Sequence, residues 1–295
     1  MKCMAYEGHW RRICVHTIAL SIIACAPPVY ADDYPARPVT FVVAFGVGGS
    51  ADRMTRTMSP FIGEALGQPV HVINRRGAGT LLAANYILEQ PHDGYTVFAT
   101  GFSPYLSNTI LEGNANYTID DFAYLNFQWF DEDLIALHRG SKYTNLPELL
   151  EDIRDNPKTV RAAVAGGVVD FIVISAAGTE GIREYIRPLA IVSHQRNPEW
   201  DAPTLTQAMA PTGIEVPVLP GSIRGYGTSA EFKRQFPERF RTLASALQAA
   251  LGNDDLIALL DGASIGRRWI GPDASEDMMR ETFAIFRDYS YLLKE

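Results

Sequence analysis

The stretch that most constrains what this chain can fold into is Val39–Asp52, VTFVVAFGVGGSAD. An apolar run from Val39 to Phe45, rich in β-branched residues, has the composition of a buried strand. Gly46, Gly48 and Gly49 interrupt it, and apolar residues then recur at Met54, Met58, Phe61, Ile62 and Ala65, the spacing of a helix with one face against a sheet. A strand that hands over to a helix through glycine brings free N–H groups and the positive end of a helix dipole to one point, where a ligand can approach the backbone closely. The junction is either an anion site or the ordinary turn of an α/β sheet.

The junction then repeats. Val70–Ile73 reads as a second strand, and Asn74-Arg75-Arg76-Gly77-Ala78-Gly79 leads into a helical pattern at Leu81, Leu82, Asn85, Tyr86 and Leu88. Pro91-His92-Asp93-Gly94 is turn chemistry before a third strand, Tyr95–Thr100. Parallel strands with crossover helices predict an α/β sheet, in which ligands sit at the carboxyl ends of the strands. Gly48, Gly49 and Ser50, then Gly77, Ala78, Gly79 and Thr80, and finally Thr100 share that rim. Asp52 complements the dipole of the first helix and can pair with Arg56 four residues on, so it serves either to fix the glycine loop or to meet a basic group on a ligand.

Beyond the third strand, Ser103–Phe130 is irregular and aromatic, the composition of core packing. Strands are expected at Leu134–Leu137, Val160–Ala165, Asp170–Ile174 and Leu189–Val192. Helices are expected at Leu146–Asp155, with Pro147 in its first turn, at a stretch ending at Tyr185, and from Pro203-Thr204. Val216–Gly227, rich in glycine and proline, reads as a loop. Thr228-Ser229-Ala230-Glu231 has capping-box spacing. Phe240, Leu243, Leu247 and Leu251 mark one amphipathic helix, Leu256–Leu260 a short one, and Ser275 is expected to cap a last one.

The first 31 residues read as a secretory signal: Lys2, Arg11 and Arg12, a short apolar core from Ile13 to Ala24, and a small-x-small site at Val29-Tyr30-Ala31. All three cysteines lie there, so the mature domain would hold no disulfide. Ile22-Ile23-Ala24-Cys25 loosely resembles a lipoprotein box, the alternative being a lipid anchor at Cys25. Without the signal, 23 basic residues face 33 acidic ones, a net charge of −10 against −8 for the whole chain. That argues against nucleic acid or an anionic membrane as partner, and makes any anion site a local one built from backbone N–H groups.

Gly46-Val47-Gly48-Gly49-Ser50-Ala51 also fits the dinucleotide pattern G-x-G-x-x-A, and Arg75-Arg76 stand where an acid would contact a ribose. An NADP-dependent oxidoreductase is therefore the enzyme alternative. A Walker lysine, a nucleophile elbow and an H-E-x-x-H pair are absent from the sequence. His71, His92, His138 and His194 lack ligand spacing, and Asp120-Asp121 and Asp131, Glu132 and Asp133 read as solvated acids of loops or helix starts. No cofactor and no metal is expected.

Tyr34-Pro35-Ala36-Arg37-Pro38-Val39, Gly48-Gly49-Ser50-Ala51-Asp52, Leu66-Gly67-Gln68-Pro69-Val70, Asn74–Gly79 and Asp93-Gly94-Tyr95-Thr96 together resemble the Bug family, the extracytoplasmic solute receptors of tripartite tricarboxylate transporters. The resemblance continues through Tyr117–Phe122, Leu146–Leu149, Val169-Asp170-Phe171, Arg187–Ala190 and Pro203–Leu205, and becomes looser after Pro211. The resemblance implies a two-lobed, periplasmic-binding-protein-like α/β fold. Residues 32–103 and about 221–295 would form the first lobe, and about 104–220 the second. It also implies a periplasmic, monomeric, non-enzymatic protein that takes a small carboxylate for a tripartite transporter, with integral-membrane components as partners, or for a sensor.

Gly48, Gly49, Ser50, Asp52, Gly77, Ala78, Gly79, Thr80 and Thr100 would line the first-lobe side of the cleft and Asp170 the second. The chain departs from the family between Ala165 and Val169, where Gly166-Gly167 replaces some forty to fifty residues. The second lobe is therefore shortened, and a receptor that no longer binds solute is the alternative from outside the transport class.

Overall fold

The computed structural model describes residues 33–103, 105–157, 160–163 and 170–293. The expected signal segment, Cys25 and the Gly166-Gly167 junction lie outside the described residues.

In chain order the elements are β1 (Val39–Val43), α1 (Ser50–Leu66), β2 (Val70–Asn74), α2 (Leu81–Glu89), β3 (Thr96–Ser103), α3 (Tyr105–Leu111), β4 (Phe122–Asp131), β5 (Asp133–His138) and α4 (Leu146–Asp155). They continue with β6 (Ala162–Ala163), β7 (Phe171–Ser175), β8 (Ile186–Val192), α5 (Leu205–Met209), β9 (Ser222–Ser229), α6 (Ala230–Gln235), α7 (Pro237–Leu251), α8 (Asp254–Gly262) and α9 (Gly271–Asp288). The stretch expected as a helix through Tyr185 is a 3-10 helix, Ala176–Tyr185.

Two sheets share the unit Tyr34–Glu295. The first runs β2-β1-β3-β9-β4, with β1 parallel to β2 and β3, and β9 antiparallel to β3 and β4. The carboxyl ends of β1 to β4 therefore emerge on one rim, beside the amino end of β9. The second runs β6-β7-β5-β8, with β5 antiparallel to both neighbours. α1, α7 and α8 cover one face of the first sheet through Met54, Met58, Ile62, Leu243, Leu247 and Leu256. α2, α3 and α9 cover the other, where Phe98, Phe102, Tyr124 and Phe127 form an aromatic cluster. The aromatic stretch is core, as its composition predicts.

α1 carries a proline within it, Pro60, which cannot donate to the Arg56 carbonyl one turn back. The Ser59 hydroxyl donates to that carbonyl instead, at 3.1 Å. Gly67 ends the helix in the left-handed conformation, φ 67°, as a helix C-terminus favours. The buried face is set by Ala51, Met54, Met58, Ile62 and Leu66, while Ala65, expected in the stripe, is exposed. In α2 the inward residues are Ala83, Ala84 and Ile87, and Leu82 faces out.

One expectation is corrected by the sheet. Val216–Gly227 was expected as a loop, yet Ser222–Ser229 is a buried strand between β3 and β4. Its glycines answer to close approach: a Cβ at Gly225 would lie 2.2 Å from the Asn126 carbonyl oxygen. β4 is hydrogen-bonded to β9 in the first sheet.

Ser275 does not cap α9, which begins at Gly271. The Ser275 hydroxyl donates to the Gly271 carbonyl at 2.7 Å and accepts the Phe127 N–H at 2.9 Å. Buried Asn126 adds to this seam by accepting from the N–H groups of Ile270 and Gly271. The outer edge of β4 is thus covered by residues 266–271, which protects it from pairing with another chain. At α6 the cap is Ser229, accepting from the Phe232 N–H at 3.3 Å, one residue later than capping-box spacing suggests.

Candidate functional site

The rim of the first sheet collects both glycine loops. In the first, Gly48 has φ +83° and its N–H donates to Asp52 Oδ2 at 2.8 Å, while the Gly49 N–H donates to the Gly46 carbonyl at 3.2 Å. Neither amide is left for a ligand. What the turn opens instead is the first turn of α1. Among the described residues the N–H groups of Ser50 and Ala51 have no partner, as the first positions of a helix require.

Asp52 is buried and holds this geometry. Its Oδ1 accepts from Asn74 Nδ2 at 2.8 Å and from Arg56 Nε at 3.0 Å, and Asn74 Nδ2 also donates to the Phe45 carbonyl at 2.9 Å. Arg56 closes the ring by donating to Asn74 Oδ1 at 2.8 Å. Burial alone would raise the Asp52 pKa, but the Gly48 N–H, Arg56 and Asn74 hold it below the usual carboxylate value. Of the two roles open to Asp52, the structure shows it fixing the loop. Asn74 carries no mark of this role along the chain beyond its place at the end of β2.

The second loop is bent at three successive residues of positive φ: Gly77 at +142°, Ala78 at +46° and Gly79 at +70°. For Ala78 this is an uncommon conformation, of the kind that clusters at ligand sites. Side chains crowd both glycines, since a Cβ at Gly77 would meet Leu82 Cδ1 at 2.6 Å and one at Gly79 would meet Thr109 Oγ1 at 2.9 Å. The N–H groups of Gly77, Ala78 and Gly79 have no partner among the described residues, whereas that of Thr80 donates to the Ala78 carbonyl at 2.9 Å. The Thr80 hydroxyl is fully buried beside that of Tyr117, whose pKa burial pushes up to about 12 while Thr80 pulls it back.

Thr100 is fully buried in the middle of β3 rather than at its end, pairing with Gly225 of β9. Its Oγ1, with those of Ser103 and Ser107, has no hydrogen-bond partner among the described residues. Asp170 is not brought to this rim. It precedes β7, where its carboxylate accepts the Arg161 N–H at 2.8 Å. Ser175, five residues on, is the end of that strand nearest the first sheet, so Asp170 lies about 17 Å further out at the rise of an extended chain.

A polar cluster at the seam between the sheets was missed. Asp131 and Asp133, expected as solvated acids, end β4 and begin β5, and Asp131 is buried. Arg224 of β9, itself buried, lies over the Trp129 ring at 4.6 Å, stands 3.5 Å from Asp131 Oδ2 and donates to Ser175 Oγ at 2.8 Å. Burial and the Asp131 charge push Asp133 up to about 6, with Arg224 pulling it down. The only sequence signal was a lone arginine inside an apolar, glycine-rich stretch.

Arg75, one of the two arginines offered for a 2′-phosphate, stacks on Tyr86 at 3.6 Å. Among the described residues no group of three or more His, Cys, Asp or Glu side chains could hold a metal ion. No helix among them is long and apolar enough to cross a membrane.

Residues 54–182 match the tripartite tricarboxylate transporter family receptor, TctC. A UPF0065 protein from the tcbD-tcbE intergenic region of Pseudomonas sp. is 24% identical over 323 residues, 95% of this chain and 93% of that one. The BugT protein of Bordetella pertussis is 40% identical over 93 residues, 32% of this chain and 28% of BugT. In fold, MatC of Rhodopseudomonas palustris, solved with bound malate, aligns at a TM-score of 0.74 and 20% identity over 87% of this chain and all of MatC. Over residues 54–182 the chain is similar to the tripartite tricarboxylate transporter family receptor, and its fold is that of MatC.

Proposed function

We propose that this chain captures a small dicarboxylate outside the cytoplasm, in the periplasm, and presents it to the membrane components of a tripartite transporter. The observation that carries the reading is the set of N–H groups without a partner among the described residues at two loops that follow neighbouring parallel strands: Ser50 and Ala51 at the start of α1, and Gly77, Ala78 and Gly79 before α2. The Ser50 hydroxyl stands with the first set. One carboxylate would take the N-terminus of α1, where the dipole and the N–H groups favour an anion, and the strained second loop would hold the other or a water beside it.

Hydrogen bonds to an ionised group contribute roughly 1.5 to 3 kcal/mol each, so a few can hold a small dianion without a lysine. The two lobes of the receptor would be organised on the two sheets, with Thr100 beneath the ligand and Gly48, Gly49 and Asp52 shaping the loop rather than touching the solute. The malate bound to MatC supports the ligand class.

Thermal unfolding of the protein with malate, adipate, citrate, acetate and NADP tests the reading. A dicarboxylate at about 100 times its dissociation constant should add roughly 2.7 kcal/mol of stability. A melt that no carboxylate moves would point to a receptor fold that binds no solute, and a response to NADP alone would restore the enzyme alternative.

A further inference from the structure

The chain passes between the two sheets at Asp131–Asp133, where β4 gives way to β5, and returns through the residues leading into β9. The two passages touch. A Cβ at Gly221 would lie 2.2 Å from the Asp131 carbonyl oxygen and 3.0 Å from Glu132 Cα. The end of β7 is fastened at the same place, because the Ala176 N–H donates to the Glu132 carbonyl at 2.8 Å. Any change in the angle between the sheets must turn here.

Arg224 is the side chain that spans this seam. It belongs to the first sheet, rests on Trp129 of that sheet, faces Asp131 at the end of β4, and donates to the hydroxyl of Ser175 in the second sheet. Its contact with Asp131 is long, 3.5 Å, so the short hydrogen bond of the guanidinium, 2.8 Å, is the one that crosses between sheets. On its other side the guanidinium acts on Tyr105 at the start of α3, whose hydroxyl feels both Arg224 and Asp133. The Tyr105 ring packs edge-on against Phe45 at 5.0 Å. Phe45 leads directly into the first glycine loop, and its carbonyl is bonded to Asn74 in the Asp52 ring.

We propose that Arg224 is a positioning residue for ligand capture: by holding Ser175 across the seam it sets the angle between the sheets that brings the second lobe onto a ligand seated at the first-lobe rim. The inference rests on the dicarboxylate reading above. Arg224 touches no part of the ligand loops, and acts through its hydrogen bond to Ser175 across the seam. A receptor gains affinity from closure only as far as the closed arrangement is favoured. Losing the seam contact therefore costs affinity without removing any group from the site.

Calorimetric titration with malate and adipate, paired with small-angle scattering with and without each acid, tests this on the whole protein and on Ser175→Ala, Ser175→Thr and Arg224→Lys. Ser175→Ala should weaken binding by about tenfold, the scale of a lost hydrogen bond to a charged group. It should also reduce the ligand-induced compaction while the unfolding temperature of the free protein stays close to that of the wild type. Ser175→Thr, which keeps the hydroxyl, should restore both, and Arg224→Lys, which keeps the charge without the fork, should behave like Ser175→Ala. Equal affinity and equal compaction in Ser175→Ala and the wild type would overturn the inference and leave the dicarboxylate reading intact. A wild type that binds none of the acids would overturn both.

Discussion

Asp52 Oδ2 accepts the Gly48 N–H at 2.8 Å, so the carboxylate of the first helical turn, not a bound anion, satisfies the amide at the apex of the glycine loop. The same carboxylate binds Arg56 and Asn74, and Asn74 reaches back to the Phe45 carbonyl. Five residues far apart in role thus form one support for the Ser50 and Ala51 amides.

Asp52→Asn should break that support. An amide keeps one acceptor but presents NH2 to a neighbour that already donates, and it gives up the charge facing Arg56. We expect a loss of about 2 kcal/mol in urea unfolding, the scale of a buried hydrogen-bonded charge left without its partners, and weaker malate binding. Because the folded-state pKa of Asp52 is depressed, its contribution is present above the unfolded value of 3.8 and is lost as pH falls through the folded value. The wild-type minus Asp52→Asn stability difference should therefore shrink in acid, and a pH-independent difference would contradict the assignment.

Asp133 should have the opposite sign. Its pKa is raised from 3.8 to about 6 by burial and by Asp131, against the pull of Arg224, and Tyr105 is the other titratable group beside it. The folded protein binds that proton more tightly than the unfolded chain, so this group favours folding fully below pH 3.8 and progressively less up to about pH 6. The span corresponds to roughly 2 to 3 kcal/mol. Asp133→Asn should gain on the wild type as pH rises from 4 to 6 and then hold level in denaturant titrations. A gain that is constant across that window would place the raised pKa elsewhere.

Two glycine substitutions should diverge. Gly225→Ala drives a Cβ to 2.2 Å from the Asn126 carbonyl oxygen and 2.9 Å from Phe127 Cα in a buried strand, and should cost 3 kcal/mol or more, about the scale of a severe backbone clash. Gly262→Ala, at the exposed end of α8 with open space around it, should stabilise by about 0.4 to 1 kcal/mol by restricting the unfolded chain. Melting temperatures of the pair decide both.

Much of the first sheet was legible because its residues are locally consistent. Val39–Val43 is β-branched, the glycines mark the turn, and Met54, Met58 and Ile62 keep helical spacing, so propensity, pattern and turn chemistry agree. β9 was not legible, since Ser222-Ile-Arg-Gly-Tyr-Gly-Thr-Ser carries turn residues whose role is set by β3 and β4 pressing on both sides. Ser275 was misplaced for a similar reason: a serine before an apolar pattern looks like a cap, but here it serves a neighbouring strand. At the site, the glycine loops could be read from the sequence, whereas the division of labour within them could not. Which amides are open depends on Asp52 and Asn74, twenty-two residues apart, and the seam at Arg224 depends on residues from β4, β7 and β9. Spacing along the chain carries no trace of such long-range pairings.

The most direct measurement is calorimetric titration of malate into the wild type and into Ser50→Pro. Ser50 is the first residue of α1, and Gly49 before it is extended at φ −66° and ψ 163°, so proline fits there without disturbing the helix. It removes the amide and the hydroxyl that the account assigns to the ligand. The predicted result is a wild type that binds and a variant weakened by about 10- to 100-fold at an unchanged melting temperature; equal affinity in the two would contradict the account.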